Sequence, residues 1–160
     1  MADKTNSTDR GSLTALRIAF YGEAAVALLA GVAQRKQPPH LALFAVGLAL
    51  MVAGLALRIA AGRALGKWWS LRVEIKDGQT LVQTGPYRLV RHPAYLGTLM
   101  VCLGIPIAFR SVWAAVVMAL GVWPAVFHRV QVEERILREH FGQDYEDYAR
   151  RTRRLIPWIF

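Results

Sequence analysis

Residues 41–61, LALFAVGLALMVAGLALRIAA, are the stretch of sequence that decides the fold. The stretch is apolar throughout except for Arg58 near its end. A helix needs about 20 predominantly apolar residues to cross the hydrocarbon core of a bilayer. We therefore predict a membrane-spanning helix over this stretch.

Further apolar runs lie on both sides of this one, and they predict an all-α integral membrane helical bundle of about four segments. A first span is predicted over 13–33, and the short polar linker 34–39 makes spans 13–33 and 41–61 an antiparallel hairpin. Two more spans are predicted over 95–109 and 111–127. The 95–109 run is short and contains Pro106, so it crosses with a kink or reaches only part of the way.

Charge and hydropathy together favour a membrane protein over a nucleic-acid-binding protein. The chain is 54% hydrophobic and carries a formal net charge of +9. Its Lys and Arg residues concentrate in the polar segment 62–94 and in the tail 128–160, so both are predicted to face the cytoplasm. The charged tail is predicted to be helical until Pro157. Residues 1–12 are polar and are predicted to be disordered, and 13–160 form a single domain. Cys102, the one cysteine, allows no internal disulfide, and no Cys/His spacing indicates a metal site.

The sequence Arg91-His92-Pro93-Ala94-Tyr95 predicts the start of the third membrane helix. Proline is favoured at the first helical position, so His92 becomes the N-cap and the free amides of Ala94 and Tyr95 point outward. Such a helix end binds anionic groups, for example a cofactor carboxylate. The alternative is that Arg91 and His92 only anchor a helix at the lipid headgroups.

A second candidate site follows the fourth apolar run, where Arg129 and Glu133 share a helix face and Glu134 comes next. Carboxylates at a membrane boundary need a partner, such as a cationic ligand or, alternatively, Arg129 itself. Glu23 inside the first span is a further candidate functional group. An apolar stripe at helical spacing is predicted to have a packing role only; it consists of Leu137, Phe141, Tyr145 and Tyr148.

Two sets of motifs resemble the isoprenylcysteine carboxyl methyltransferase family and cover about the last half of the chain. The first set is QTLVQTGPY at residues 79–87 with RHPAYLG at residues 91–97. The second is Arg129-x-x-x-Glu133-Glu134, then HFGxxYxxY at residues 140–148 and a terminal Ile156-Pro157. Gln79 replaces a histidine of the eukaryotic enzymes, which also have additional N-terminal membrane helices.

The resemblance implies an S-adenosylmethionine (SAM)-dependent enzyme with a cytoplasmic cofactor site, whose product is S-adenosylhomocysteine (SAH). In the implied site, Glu133 holds the polar end of the cofactor and Arg129 orients the substrate. The other residues implied to bind the cofactor are Gln79, Thr80, Leu81, Val82, Tyr87, His92, Pro93, Ala94 and Tyr95. The expected acceptor is a lipophilic or small carboxylate that is methylated on oxygen, and no metal or nucleic acid is expected to take part.

Three other functions remain open from the sequence. An amine acceptor of a phospholipid N-methyltransferase would have to lose a proton, and Glu134 or His92 is then the nearest candidate base. An NADPH-dependent sterol-type reductase is less favoured, because Ala94 and Thr98 stand where those proteins have asparagine and an acidic residue. A non-enzymatic membrane scaffold or transporter accessory is the third.

Overall fold

The computed structural model describes residues 2–33, 40–70 and 75–155. The predicted linker 34–39 and the terminal Ile156-Pro157 lie outside the described residues. Within them the chain is almost entirely helical, which confirms the predicted all-α bundle. The α-helices are α1 (Ala2–Ala33), α2 (Leu41–Leu65), α3 (Pro93–Ala108), α4 (Val112–Val117), α5 (Trp123–Phe141) and α6 (Gln143–Arg151).

Helices α2 and α3 pack as an antiparallel pair through glycines. Gly47 lies against Gly104 and Gly54 against Gly97, so that a Cβ added to any of the four would come within 2.6 Å of a backbone atom opposite. Only glycine allows two helix backbones to approach so closely. This contact fixes the register of the pair and carries Arg58 of α2 to the N-terminal end of α3.

The other side of α3 packs against α1 and against one long helix, Val112–Phe141, that comprises α4, a π-helical turn (Met118–Val122) and α5. Pro124 lacks the amide hydrogen that an α-helical turn would use at this point, which accounts for the local π geometry. The core between these helices contains Leu99, Cys102, Val122, Val126, Val130 and Leu155.

Three helices, over Leu13–Ala33, Leu41–Trp68 and Val112–Phe141, are long and apolar enough to cross a membrane. Helix α3, with 16 residues, is shorter. It rises about 24 Å, less than the roughly 30 Å of a bilayer core. Large apolar side chains on the outer faces are exposed, among them Leu29, Phe44, Val52, Trp113 and Leu120. Such a surface suits lipid, and the protein is an integral membrane protein.

The structure differs from the sequence prediction at both ends of the chain. Helix α1 begins at Ala2, whereas residues 1–12 were predicted to be disordered; a helix that contains no proline extends at little cost once nucleated. The tail was predicted to be helical until Pro157, but the helix breaks at Gly142, whose φ of 52° is left-handed, and α6 ends at Arg151.

After α6 the chain is extended and pairs with the segment before α3. Val90 and Arg153 form an isolated parallel bridge. The Arg91 amide donates to the Arg153 carbonyl (2.7 Å), and the His92 amide donates to the Arg154 carbonyl (3.1 Å). The end of the described chain therefore braces the N-terminus of α3.

Candidate active site

A cavity lies at the end of the bundle where α2 finishes and α3 begins. Together with its open mouth it encloses about 1160 Å³. Segment 75–82, the 3₁₀ turn Gly85–Arg88, the start of α3, α5 and α6 form its walls. Ten of the twelve predicted site residues line it: Gln79, Thr80, Leu81, Val82, Tyr87, His92, Ala94, Tyr95, Arg129 and Glu133. The other two, Pro93 and Glu134, are buried behind the wall.

The start of α3 forms one wall, as the sequence predicted. His92 is the N-cap, Pro93 is the first helical residue, and the amides of Tyr95 and Leu96 donate to the His92 carbonyl. The His92 side chain makes no capping hydrogen bond, so its imidazole is available to the site. Its Nδ1 lies 4.0 Å from Glu133 Oε2.

The facing wall is a short stretch of α5. Arg129 is almost fully buried, and its Nε donates a 3.0 Å hydrogen bond to the Tyr95 hydroxyl. Glu133, one helical turn later, keeps 31% of its side chain exposed. The stretch therefore presents a fixed cation and an accessible carboxylate to the same cavity.

Glu134 points away from the cavity into an ion cluster. Its Oε1 accepts hydrogen bonds from Arg91 Nε (3.0 Å) and Arg154 Nε (3.2 Å), and its Oε2 accepts one from Arg154 Nη2 (2.9 Å). Arg138 lies 3.4 Å from the same Oε2. Arg91 also donates from Nη1 to the carbonyls of Ala149 and Thr152. The cluster ties α5, α6 and the tail to the residue before His92.

Three buried tyrosines line the same side of the cavity. The Tyr148 hydroxyl donates a 2.8 Å hydrogen bond to the Tyr87 carbonyl. Burial raises the pKa of Tyr87, Tyr145 and Tyr148 above the ordinary phenol value, and the charge of Glu133 raises the pKa of Tyr87 further. All three phenols are therefore protonated at neutral pH, and each has a proton to donate in a hydrogen bond.

Several lining residues were not predicted as site residues. Arg58 donates from Nη1 to the Ala94 carbonyl (3.2 Å) and to the Thr98 hydroxyl, which places its guanidinium at the membrane side of the cavity. The apolar stripe to which we gave only a packing role lines the cavity as well. The remaining apolar and aromatic lining comes from Leu13, Leu16, Leu65, Trp68, Trp69, Ile75 and Ile136.

The loop before the 3₁₀ turn Gly85–Arg88 is held in place by hydrogen bonds between side chains and backbone groups. The Lys76 amide donates to Gln79 Oε1 (2.9 Å), and Lys76 Nζ donates to the carbonyls of Lys67 and Trp69. These contacts tie the loop to the end of α2. Glu23, the remaining sequence candidate, is fully buried in α1, and neither of its carboxylate oxygens has a hydrogen-bond partner among the described residues.

Comparison with known proteins identifies the family. A sequence model of the phospholipid methyltransferase family matches residues 42–144. The probable protein-S-isoprenylcysteine O-methyltransferase of Oryza sativa subsp. indica is 32% identical over 116 residues, which cover 71% of this chain and 61% of that protein. The protein-S-isoprenylcysteine O-methyltransferase of Mus musculus is 35% identical over 119 residues, 73% of this chain and 42% of that protein.

A solved structure agrees with the sequence relatives. The eukaryotic intramembrane Ras methyltransferase ICMT (isoprenylcysteine carboxyl methyltransferase) superposes with a TM-score of 0.77 at 26% identity, over 88% of this chain and 52% of that one. This chain thus spans about two fifths to three fifths of the length of these relatives. It belongs to the phospholipid methyltransferase family, and its relatives place it beside the isoprenylcysteine carboxyl methyltransferases.

Proposed function

We propose that this protein transfers a methyl group from SAM to the carboxylate of a lipophilic or small acceptor at the membrane surface. The observation that carries the proposal is the pair formed by Arg129 and Glu133, a buried guanidinium and an accessible carboxylate one turn apart in one cavity. The names of the relatives, protein-S-isoprenylcysteine O-methyltransferases, support the same chemistry.

The residues present fit SAM. Its ammonium and sulfonium groups are cationic, and Glu133 offers a carboxylate on the cavity side with aromatic side chains nearby. Tyr87 and Tyr95 line the same cavity as that carboxylate. The start of α3 suits the anionic end of the amino acid moiety. Segment 79–82 supplies an extended wall for the nucleoside.

Arg129 is suited to hold the acceptor. Its Nε is fixed by the Tyr95 hydroxyl, so the guanidinium is oriented before an acceptor arrives. A planar guanidinium pairs well with a carboxylate. The apolar lining around it, including Leu16, Ile136 and Phe141, favours a lipophilic body attached to that carboxylate.

Bound SAM would supply an already activated methyl group. The chain then has to hold the acceptor carboxylate in line with that group and keep water out, which orientation alone can accelerate strongly. A carboxylate nucleophile is already ionised and needs no general base. This suits a site in which Glu134 is engaged by three arginines and does not line the cavity.

A phospholipid N-methyltransferase is the second candidate function, and the description of the matching family model favours it. An amine acceptor would meet the positive charge of Arg129 and would require a base to take its proton. Among the residues that line the cavity, His92 and Glu133 carry the groups that could accept it. We rank this function second because of Arg129.

The test is a binding titration followed by an acceptor screen. Purified protein in detergent should bind SAM and SAH and should not bind NADPH. With radiolabelled SAM, lipophilic carboxylates should become labelled faster than phosphatidylethanolamine. Labelling of the amine lipid alone would favour the second candidate, and binding of NADPH without SAM would overturn both.

The proposed orientation places the cavity at the cytoplasmic surface. The segments that form it, 75–82, the start of α3 and α6, belong to the two most basic parts of the chain. Basic residues near the ends of membrane helices favour the cytoplasmic side.

A further inference from the structure

The hydroxyl group of Tyr145 in α6 makes no hydrogen bond within the described residues that would stabilise the fold. The residue is fully buried, and its hydroxyl has no hydrogen-bond partner within the described part of the chain. The same side chain lines the cavity. Tyr148, three residues later, is also buried, but its hydroxyl donates a hydrogen bond to the Tyr87 carbonyl. The two tyrosines thus differ in whether the buried hydroxyl already has a hydrogen-bond partner, and a hydroxyl without one indicates a ligand.

A buried hydroxyl without a partner is costly, so such groups are rare in native proteins. Because burial keeps the Tyr145 phenol protonated, the group it requires is a hydrogen-bond acceptor. Both oxygens of Glu134, the carboxylate behind this wall, already accept hydrogen bonds from arginines. The missing acceptor is therefore expected on a ligand in the cavity.

The charge of this wall indicates that the acceptor is anionic. Arg91, Arg138 and Arg154 surround the carboxylate of Glu134, and Arg138 also pairs with Glu146 (2.9 Å), so that the three arginines outnumber the two carboxylates they contact by one. Arg138 also lies over the Tyr145 ring, 5.7 Å from its centroid. Helix α3 begins at Pro93, and its first amides have no hydrogen-bond partner within the helix. Such a helix N-terminus also favours an anionic group.

His92 lies between the two carboxylates of α5. Its Nε2 is 3.4 Å from Glu134 Oε1 behind the wall, and its Nδ1 is 4.0 Å from Glu133 Oε2 on the cavity side. Glu133 therefore offers a site for a cationic group beside the wall that favours an anionic one.

We propose that the Tyr145 hydroxyl donates a hydrogen bond to the carboxylate of the amino acid end of the methyl donor, while Glu133 binds its ammonium group. This inference rests on the proposed function and adds a binding residue to it. Tyr145 should therefore contribute to the binding of a methyl donor that carries a complete amino acid end. It should not contribute to the binding of a nucleoside that lacks this end.

The test compares two ligands and two matched variants. Isothermal titration calorimetry would measure the affinity of SAH and of 5′-methylthioadenosine, which shares the thioether and nucleoside but has no amino acid end. Tyr145→Phe should weaken SAH binding at least tenfold, as expected for a lost hydrogen bond to a charged group, and should leave 5′-methylthioadenosine binding unchanged.

The thermal stability of the ligand-free protein separates binding from structure. Removal of an unsatisfied buried hydroxyl is neutral or stabilising, so Tyr145→Phe should keep or raise Tm. Tyr148→Phe, which removes a hydroxyl that holds the Tyr87 carbonyl, should lower it.

Unchanged SAH affinity in Tyr145→Phe, or an equal loss for both ligands, would overturn the assignment of Tyr145 alone. Failure of the unaltered protein to bind SAH would overturn the proposed function together with this inference.

Discussion

Glu134 is the residue that organises the polar half of this molecule. Its carboxylate is 1% exposed and is surrounded by Arg91, Arg138 and Arg154. A buried carboxylate is tolerated only when it is paired and hydrogen-bonded. Its partners come from three separate segments, so one side chain joins α5, the segment before α3 and the tail. We therefore regard Glu134 as a positioning residue of the site.

Glu134→Gln should destabilise the fold by about 3 kcal/mol, because it leaves clustered arginines without their counter-charge. The measurement is the thermal midpoint of the detergent-solubilised protein. Glu139→Gln on the same helix is the matched control, since Glu139 is exposed, and it should have almost no effect. Equal midpoints for the two variants would show that the cluster contributes little.

Arg129→Gln should lower the rate of methyl transfer while SAH affinity changes little. The variant removes the charge that we propose holds the acceptor carboxylate, so a rate loss of about tenfold to a hundredfold is expected. Turnover with a lipophilic carboxylate and SAH binding would be measured on the same preparation. A loss of SAH affinity as large as the loss of rate would instead place Arg129 at the cofactor.

At this scale, the kind of residue decided what could be predicted from the sequence. Arg129, Glu133 and His92 were predicted because a charge at a membrane boundary, or a residue before proline, is conspicuous in a sequence. Tyr145 was missed because a tyrosine on an apolar stripe usually indicates packing, and only coordinates reveal that its hydroxyl has no partner. Arg58 was missed because its position depends on the register of α2 against α3.

At the scale of elements, the four glycines of the α2–α3 contact decide how the membrane helices meet. The apolar runs predicted both helices, but hydropathy gives no information about which faces touch. Since lipid tails are as apolar as leucine, the approach of two backbones, rather than burial from water, has to stabilise this pair. The same contact brings Arg58 to the Ala94 carbonyl and so completes the membrane side of the cavity.

Gly54→Ala should destabilise the protein by about 1–3 kcal/mol, since the new Cβ would lie 2.5 Å from the Gly97 carbonyl oxygen. Gly22→Ala in α1 is the control, because a Cβ there meets nothing within 4 Å. That change should be neutral or slightly stabilising through helix propensity. Thermal midpoints of the two variants would be compared, and a Gly54→Ala protein as stable as the Gly22→Ala protein would refute the close contact.

The structure of the tail could not be predicted from its local sequence pattern. Its charged sequence favours helix, yet the chain turns at Gly142 and becomes extended after Arg151, where Arg153 pairs with Val90. Pairing between segments so far apart in sequence leaves no local periodicity. The extended tail accepts a hydrogen bond from the His92 amide and so holds one wall of the cavity.

At the scale of the whole molecule, the two ends of the bundle differ in chemistry. One end carries the cavity and the ion cluster of Glu134. At the other, Gly31 of α1 approaches Phe109, and Gly47 of α2 meets Ala108. Among the described residues, one end of the bundle is therefore polar and the other is formed by close contacts between apolar helices, as expected if the cofactor arrives from a single side of the membrane.

The proposed orientation can be tested with engineered cysteines, because the native Cys102 is fully buried and should remain unlabelled by a membrane-impermeant maleimide. Asp77 is exposed at the cavity end and His40 is exposed at the start of α2. Asp77→Cys should be labelled only after the cells are permeabilised, and His40→Cys should be labelled in intact cells. The expectation rests on the basic segments that adjoin the cavity. The reverse labelling pattern would mean that these basic residues do not determine the orientation of the bundle. The cavity would then open on the side opposite the cytoplasmic supply of SAM.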